Sequence, residues 1–203
     1  MASSIFLGAR MATSRRKKLK IVFNAPVILG FVFACFIVQL FNTISNGRTG
    51  EILFMTYHSS LKNPLTYIRF FTHILGHNGW EHLISNMVYV LLLGPLLEEK
   101  YGSELLLWVI GITALITGLI NYLFFWNVAL CGASGVCFAF ILLASFTGFK
   151  EGEIPLTFIL VAVFFIGQQV YDGLTVRNNI SNMAHIIGGI IGGIIGYILN
   201  LKI

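Results

Sequence analysis

The chain has 203 residues, 57% hydrophobic and only 10% charged, with a mean hydropathy of +0.85. A soluble domain carries about 25% charged residues, so this balance excludes a disordered chain, a nucleic-acid module and an ordinary cytosolic enzyme. The formal charge of +5 is not spread over a face: six of the thirteen basic residues (Arg10, Arg15, Arg16, Lys17, Lys18, Lys20) lie in the first twenty positions, just ahead of an apolar run. Such a tail is a topology signal. Residues 1–20 therefore form a basic tail, and residues 21–203 a single membrane domain.

A helical crossing needs about 20 mostly apolar residues. The first predicted span is Ile21–Phe41, too long for a signal-peptide core and without a small-residue cleavage site. Thr43–Glu81 follows, mixing Arg48, Glu51, Lys62, Arg69 and three histidines with aromatic residues, which suits short helices lying at the membrane surface. His82–Leu97 is the second span, ended by Glu98, Glu99 and Lys100. Leu105–Phe149 carries no charge over 45 residues, the length of two crossings, with the turn between them at Asn121–Gly135. Ile154–Tyr171 is the fifth span and Ser181–Leu201 the sixth. The predicted fold is an all-α, six-transmembrane-helix bundle. Cys35, Cys131 and Cys137 sit in apolar or near-apolar context and read as buried thiols rather than a disulfide framework.

With the N-terminus in the cytoplasm, nine basic residues fall on the inner side and four (Arg48, Lys62, Arg69, Arg177) on the outer side. This agrees with the positive-inside rule and places both termini in the cytoplasm. The short loops and compact chain fit a bacterial plasma membrane. Any chemistry must then come from the bundle itself.

Strongly polar groups inside membrane helices are costly and are functional candidates. Those here are His82 and Asn86 in span two, Ser134 in span four, Gln168 and Gln169 in span five, and Asn182 and His185 in span six. Spans two, four and six all descend from the outer face, so His82, Asn86, Ser134 and His185 share one depth. Ser134 lies in Gly132-Ala133-Ser134-Gly135, where a glycine-bearing loop enters a helix, exposing a hydroxyl beside unpaired first-turn N–H groups. His185 suits the base that takes its proton. Gly188 and Gly192 follow on or near the same helical face and permit close helix approach, which is also a plain packing role. His82 and Asn86, four apart, present two donors on one face for an oxyanion. The eight carboxylates are all assigned to loops or span boundaries, leaving a serine–histidine dyad without an acid. A competing reading takes His73, His77, His82 and His185 as metal ligands, but no carboxylate or cysteine accompanies them at ligand spacing, and neither metal nor cofactor is expected.

These residues resemble the rhomboid family of intramembrane serine proteases. The matching elements are His82-x-x-x-Asn86, Gly132-Ala133-Ser134-Gly135 and Ala184-His185-x-x-Gly188-x-x-x-Gly192, in order across the spans. Arg69 with Phe70-Phe71-Thr72-His73 is similar to the family's first outer loop, and Glu98 with Tyr101-Gly102-Ser103 to the segment after span two. The resemblance covers roughly residues 45–200. It implies a six-helix rhomboid core, Ser134 as nucleophile and His185 as base, with an oxyanion site formed by the Ser134 backbone, His82 and Asn86. The implied partners are single-span membrane proteins in the lipid bilayer. Two positions differ from the family pattern: Ile68 precedes Arg69 where Trp is common, and Phe138 stands where a Tyr often packs on the catalytic histidine. A Phe still stacks on imidazole but lacks the hydroxyl. Two rivals come from other classes. One is a six-helix transporter, although no internal repeat relates the two halves. The other is a non-catalytic binder of membrane helices.

Overall fold

The computed structural model describes residues 20–148, 153–175 and 179–200. Among them are eight helices: α1 (Pro26–Ile44), α2 (Arg48–Leu53), α3 (Pro64–Thr72), α4 (Trp80–Tyr101), α5 (Ser103–Phe124), α6 (Ser134–Ser145), α7 (Leu156–Thr175) and α8 (Asn179–Asn200). An isolated antiparallel bridge joins Thr56 and Leu130. The tail charges up to Lys18, together with Lys150, Arg177 and Lys202, lie outside the described residues.

Helix α1 begins five residues later than the hydropathy predicts. Pro26 occupies its first turn, where a missing N–H costs nothing. The next two N–H groups, of Val27 and Ile28, donate to the Glu98 carboxylate at 3.0 Å each. Glu98 marks the end of its span, as the sequence suggests, but it is buried there. It lies in the last turns of α4, 5% exposed, and also accepts from the Ser103 hydroxyl at 2.6 Å. A carboxylate set against unpaired N–H groups at the positive end of a helix is a favourable arrangement. This one ties α1, α4 and the start of α5 together.

Four helices are long and apolar enough to cross a membrane: α1, α4, α5 and residues Asn182–Leu199 of α8. Two further apolar helices are shorter, α6 and the Leu156–Gln169 part of α7. At 1.5 Å per residue α6 is only about 18 Å long, against a hydrocarbon core of about 30 Å. It occupies the interior of the bundle: Val136, Ala139, Phe140 and Leu143 are fully buried. The lower end of α6 is held where Lys100 donates to the Thr147 carbonyl. Its first turn lies between His82 and Asn86 of α4: Gly132, just before the helix, meets the His82 ring, and the Cys137 thiol donates to the Asn86 carbonyl at 3.4 Å. The short helix thus brings its N-terminus inside the bundle rather than to its rim. Outward-facing positions carry large exposed apolar side chains, among them Phe33, Ile37, Leu92, Leu96, Leu107 and Trp108. Buried polar residues, by contrast, gather toward the end of the bundle carrying His82.

Candidate active site

The chain between α1 and α4 supports the site from above. Asn63 caps α3 by accepting from the Leu65 N–H, with Pro64 in the first turn. Arg69 is 3% exposed; its guanidinium lies 4.3 Å over the Tyr57 ring and donates to the Tyr57 hydroxyl and to Ser59. This folded loop then grips the segment that leads into α6. Thr56 and Leu130 exchange N–H to carbonyl bonds of 3.0 and 2.8 Å, and Asn121 Nδ2 donates to the carbonyls of Thr56 and Val128. The Gly132 N–H donates to the His73 carbonyl, and the Ala133 N–H to His77 Nε2 at 3.3 Å.

Those last two bonds consume the N–H groups just before the helix. The first intrahelical bond of α6 runs from the Cys137 N–H to the Ala133 carbonyl. The N–H groups of Ser134, Gly135 and Val136 therefore precede the ladder. Gly132 has φ +121, a conformation L residues rarely adopt, and a Cβ there would stand 2.7 Å from His82 Cε1. Only glycine lets this turn lie against the His82 ring.

His77 and His73 are structural. A backbone carbonyl only accepts, so His77 Nδ1 carries the proton toward Leu75 O and Nε2 is left to accept from Ala133. His73 sets Nδ1 against the Arg69 carbonyl and Nε2 against the Thr117 hydroxyl. Both rings have both nitrogens engaged in hydrogen bonds within the protein. Burial holds each below the ordinary histidine value, at about 4, and for His77 the neighbouring His82 adds to the effect. No group of three or more His, Cys, Asp or Glu among the described residues has the arrangement of a metal site.

Below this cap lies a cavity of about 570 Å³. His82, Asn86 and Tyr89 line it from α4, Ser134, Cys137 and Phe138 from α6, Phe164, Phe165 and Gln168 from α7, and His185 from α8. Ser134, His185, His82 and Asn86 thus line the same cavity. Helices α6 and α8 meet backbone to backbone: a Cβ on Gly188 would overlap the Gly135 carbonyl, and one on Gly192 the Ala139 carbonyl. A Cβ on Gly135 would stand 3.3 Å from the Ala184 carbonyl, so the residues next to Ser134 and His185 are already in contact. Among the described residues no hydrogen bond joins Ser134 to His185.

Three details bear on chemistry. His82 Nδ1 accepts from the Asn78 N–H, which leaves the proton of the neutral ring on Nε2, the nitrogen nearest Gly132. Asn86 is 6% exposed, and its Nδ2 is buried with no hydrogen-bond partner among the described residues. A buried unpaired donor costs about 1–3 kcal/mol and calls for an explanation. Finally, His185 packs against Phe138 with ring centroids 4.2 Å apart, and its Nδ1 lies 3.1 Å from Gln169 Oε1. Gln169 has no role in the motifs; its position in an apolar span is its one signal in the sequence. Asn182 does not line the cavity, Glu81 is exposed, and the Asp172 side chain lies outside the described residues.

The fold and cavity define a class: a helical membrane bundle that encloses polar groups beneath its surface. The family model of the Rhomboid domain matches residues 64–202, well over half of the chain, and the chain belongs to the rhomboid family of intramembrane serine proteases. No curated protein matches it.

Proposed function

We propose that this chain is an active intramembrane serine endopeptidase that cleaves single-span membrane proteins through Ser134 and His185. The observation that carries the reading is the buried Asn86 donor, without a partner among the described residues, in the same cavity as the serine and the imidazole. An oxyanion is the partner such a donor lacks. Ser134 Oγ attacks the scissile carbonyl carbon while His185 Nε2 takes its proton. The carbonyl oxygen gains the negative charge and is met by the Ser134 N–H, His82 Nε2–H and Asn86 Nδ2–H. The intermediate collapses, the C–N bond breaks, and the imidazolium returns its proton to the leaving amine. Water then hydrolyses the acyl-serine by the same steps in reverse order of roles. Dyad hydrogen bonds are often long until substrate is bound, which is compatible with the lack of a Ser134–His185 bond among the described residues.

Substrate reaches the cavity from the side. Helices α4 and α7 both line it but do not pack against each other among the described residues, which leaves a lateral mouth flanked by Phe164. A substrate helix must unwind there to present a carbonyl, so small or helix-breaking residues are preferred at the cut. The nine-to-four bias of basic residues supports a cavity near the outer leaflet of a plasma membrane, with both termini cytoplasmic. The test is incubation of the purified protein with single-span substrates and with a fluorophosphonate. Cleavage and labelling of Ser134, both lost in Ser134→Ala, support the reading; a Ser134→Ala protein that still cuts overturns it.

A further inference from the structure

Gln169 is no reactant in the steps above, yet it is among the most deeply buried polar side chains, 3% exposed. It approaches His185 from α7, a different helix from those carrying Ser134 and the two oxyanion donors. Its Oε1, 3.1 Å from Nδ1, only accepts, so this bond needs a proton on Nδ1. A neutral imidazole has a single N–H, and Nε2 is then left with its lone pair. The Phe138 face restrains the plane of the ring but cannot choose between its two nitrogens. The opposite tautomer would present Nε2–H to the serine and be useless as a base.

Resting on the dyad reading, we propose that Gln169 is a positioning residue that selects the Nδ1–H tautomer of His185 and thereby makes Nε2 the base. It performs by an amide what a buried carboxylate performs in a serine–histidine–aspartate triad. The difference has a consequence. A neutral amide orients the ring without stabilising the imidazolium by charge, whereas a carboxylate would do both.

The experiment compares the purified full chain with Gln169→Leu and Gln169→Glu. It reads fluorophosphonate labelling of Ser134, cleavage of a single-span substrate against pH, and thermal unfolding. Gln169→Leu is expected to lower the labelling rate and kcat by at least about tenfold, with KM within about twofold. Gln169→Glu retains the acceptor, labels at a rate near that of the parent, and moves the acid limb of the kcat/KM profile upward. His82 and Tyr89 from α4 and Cys137 from α6 also face the cavity, so 15N signals of the His185 ring assign that limb. Gln169→Leu labelling at the parent rate overturns the proposal, as does a Gln169→Glu profile that stays in place. Should Gln169→Leu fail to fold, the Gln169→Glu limb decides alone. Failure of the dyad reading looks different: the parent itself is not labelled at Ser134, and both readings then fall together.

Discussion

At the scale of the residue, the site's chemistry rests on donors and acceptors whose partners are fixed by burial. Asn86→Ala removes the unpartnered Nδ2, and a single oxyanion donor contributes about 10²–10³ in kcat. The expected result is a loss of that size with KM little changed, read from steady-state cleavage of a single-span substrate. An unaltered kcat would remove Asn86 from the oxyanion site. Ser134, His185, His82 and Asn86 were conspicuous in the sequence because a polar side chain in an apolar run has few reasons to be there. Gln169 was equally visible as a polar residue but not as a partner of His185. Gln168 and Gln169 are adjacent, and only the rotation of α7 about its axis decides that Gln168 lines the cavity while Gln169 reaches the ring. His77 was harder still: its bond to the Ala133 N–H joins residues 56 positions apart.

At the scale of the element, the position of Ser134 depends on how α6 is held at both flanks. On one side α8 lies against it with no room for side chains at Gly188 and Gly192. Gly188→Val is expected to lower stability by at least about 1–3 kcal/mol, the usual cost of overpacking. It should also suppress fluorophosphonate labelling even in molecules that remain folded, because α8 carries His185 away with it. Thermal unfolding in detergent and labelling of the folded fraction check both halves. The second case is Glu98, which the sequence reading set at a span boundary. Charged residues after an apolar run look like a helix end facing water, and hydropathy has no means of showing that α1 starts against them. Glu98→Ala leaves the Val27 and Ile28 N–H groups without their acceptor, at about 1–3 kcal/mol for the buried Ile28 donor and less for the part-buried Val27 donor. A lowered unfolding midpoint with unchanged kcat is expected, since Glu98 is at the opposite end of α4 from His82 and Asn86.

For the whole molecule, the loop between α1 and α4 and the bundle are coupled through neutral histidines. In the unfolded chain His73 and His77 take up protons near their ordinary value of 6.5, but in the folded protein only at about 4. Between these values the unfolded state binds more protons, so stability falls as pH drops from about 6.5 toward 4 and is fully present above that window. Protonated His77 would turn an N–H toward the Ala133 N–H and break the grip on the segment leading to Ser134. The unfolding midpoint is therefore expected to fall between pH 7 and 5, and the fall should be smaller in His77→Asn, which does not titrate. A midpoint independent of pH over that range would refute the coupling.

Composition and hydropathy by themselves determined that the chain is a helical membrane protein, where its apolar helices run to within a few residues, and which polar side chains are out of place in them. These are local properties, set by transfer free energy along a stretch of about twenty residues. Only the tertiary structure decided that α6 is a short interior helix, that Glu98 secures the start of α1, and that α7 supplies an acceptor to His185. Each depends on the depth and rotation of one helix against another, which arise from packing between residues far apart in the chain and leave no periodic trace in it.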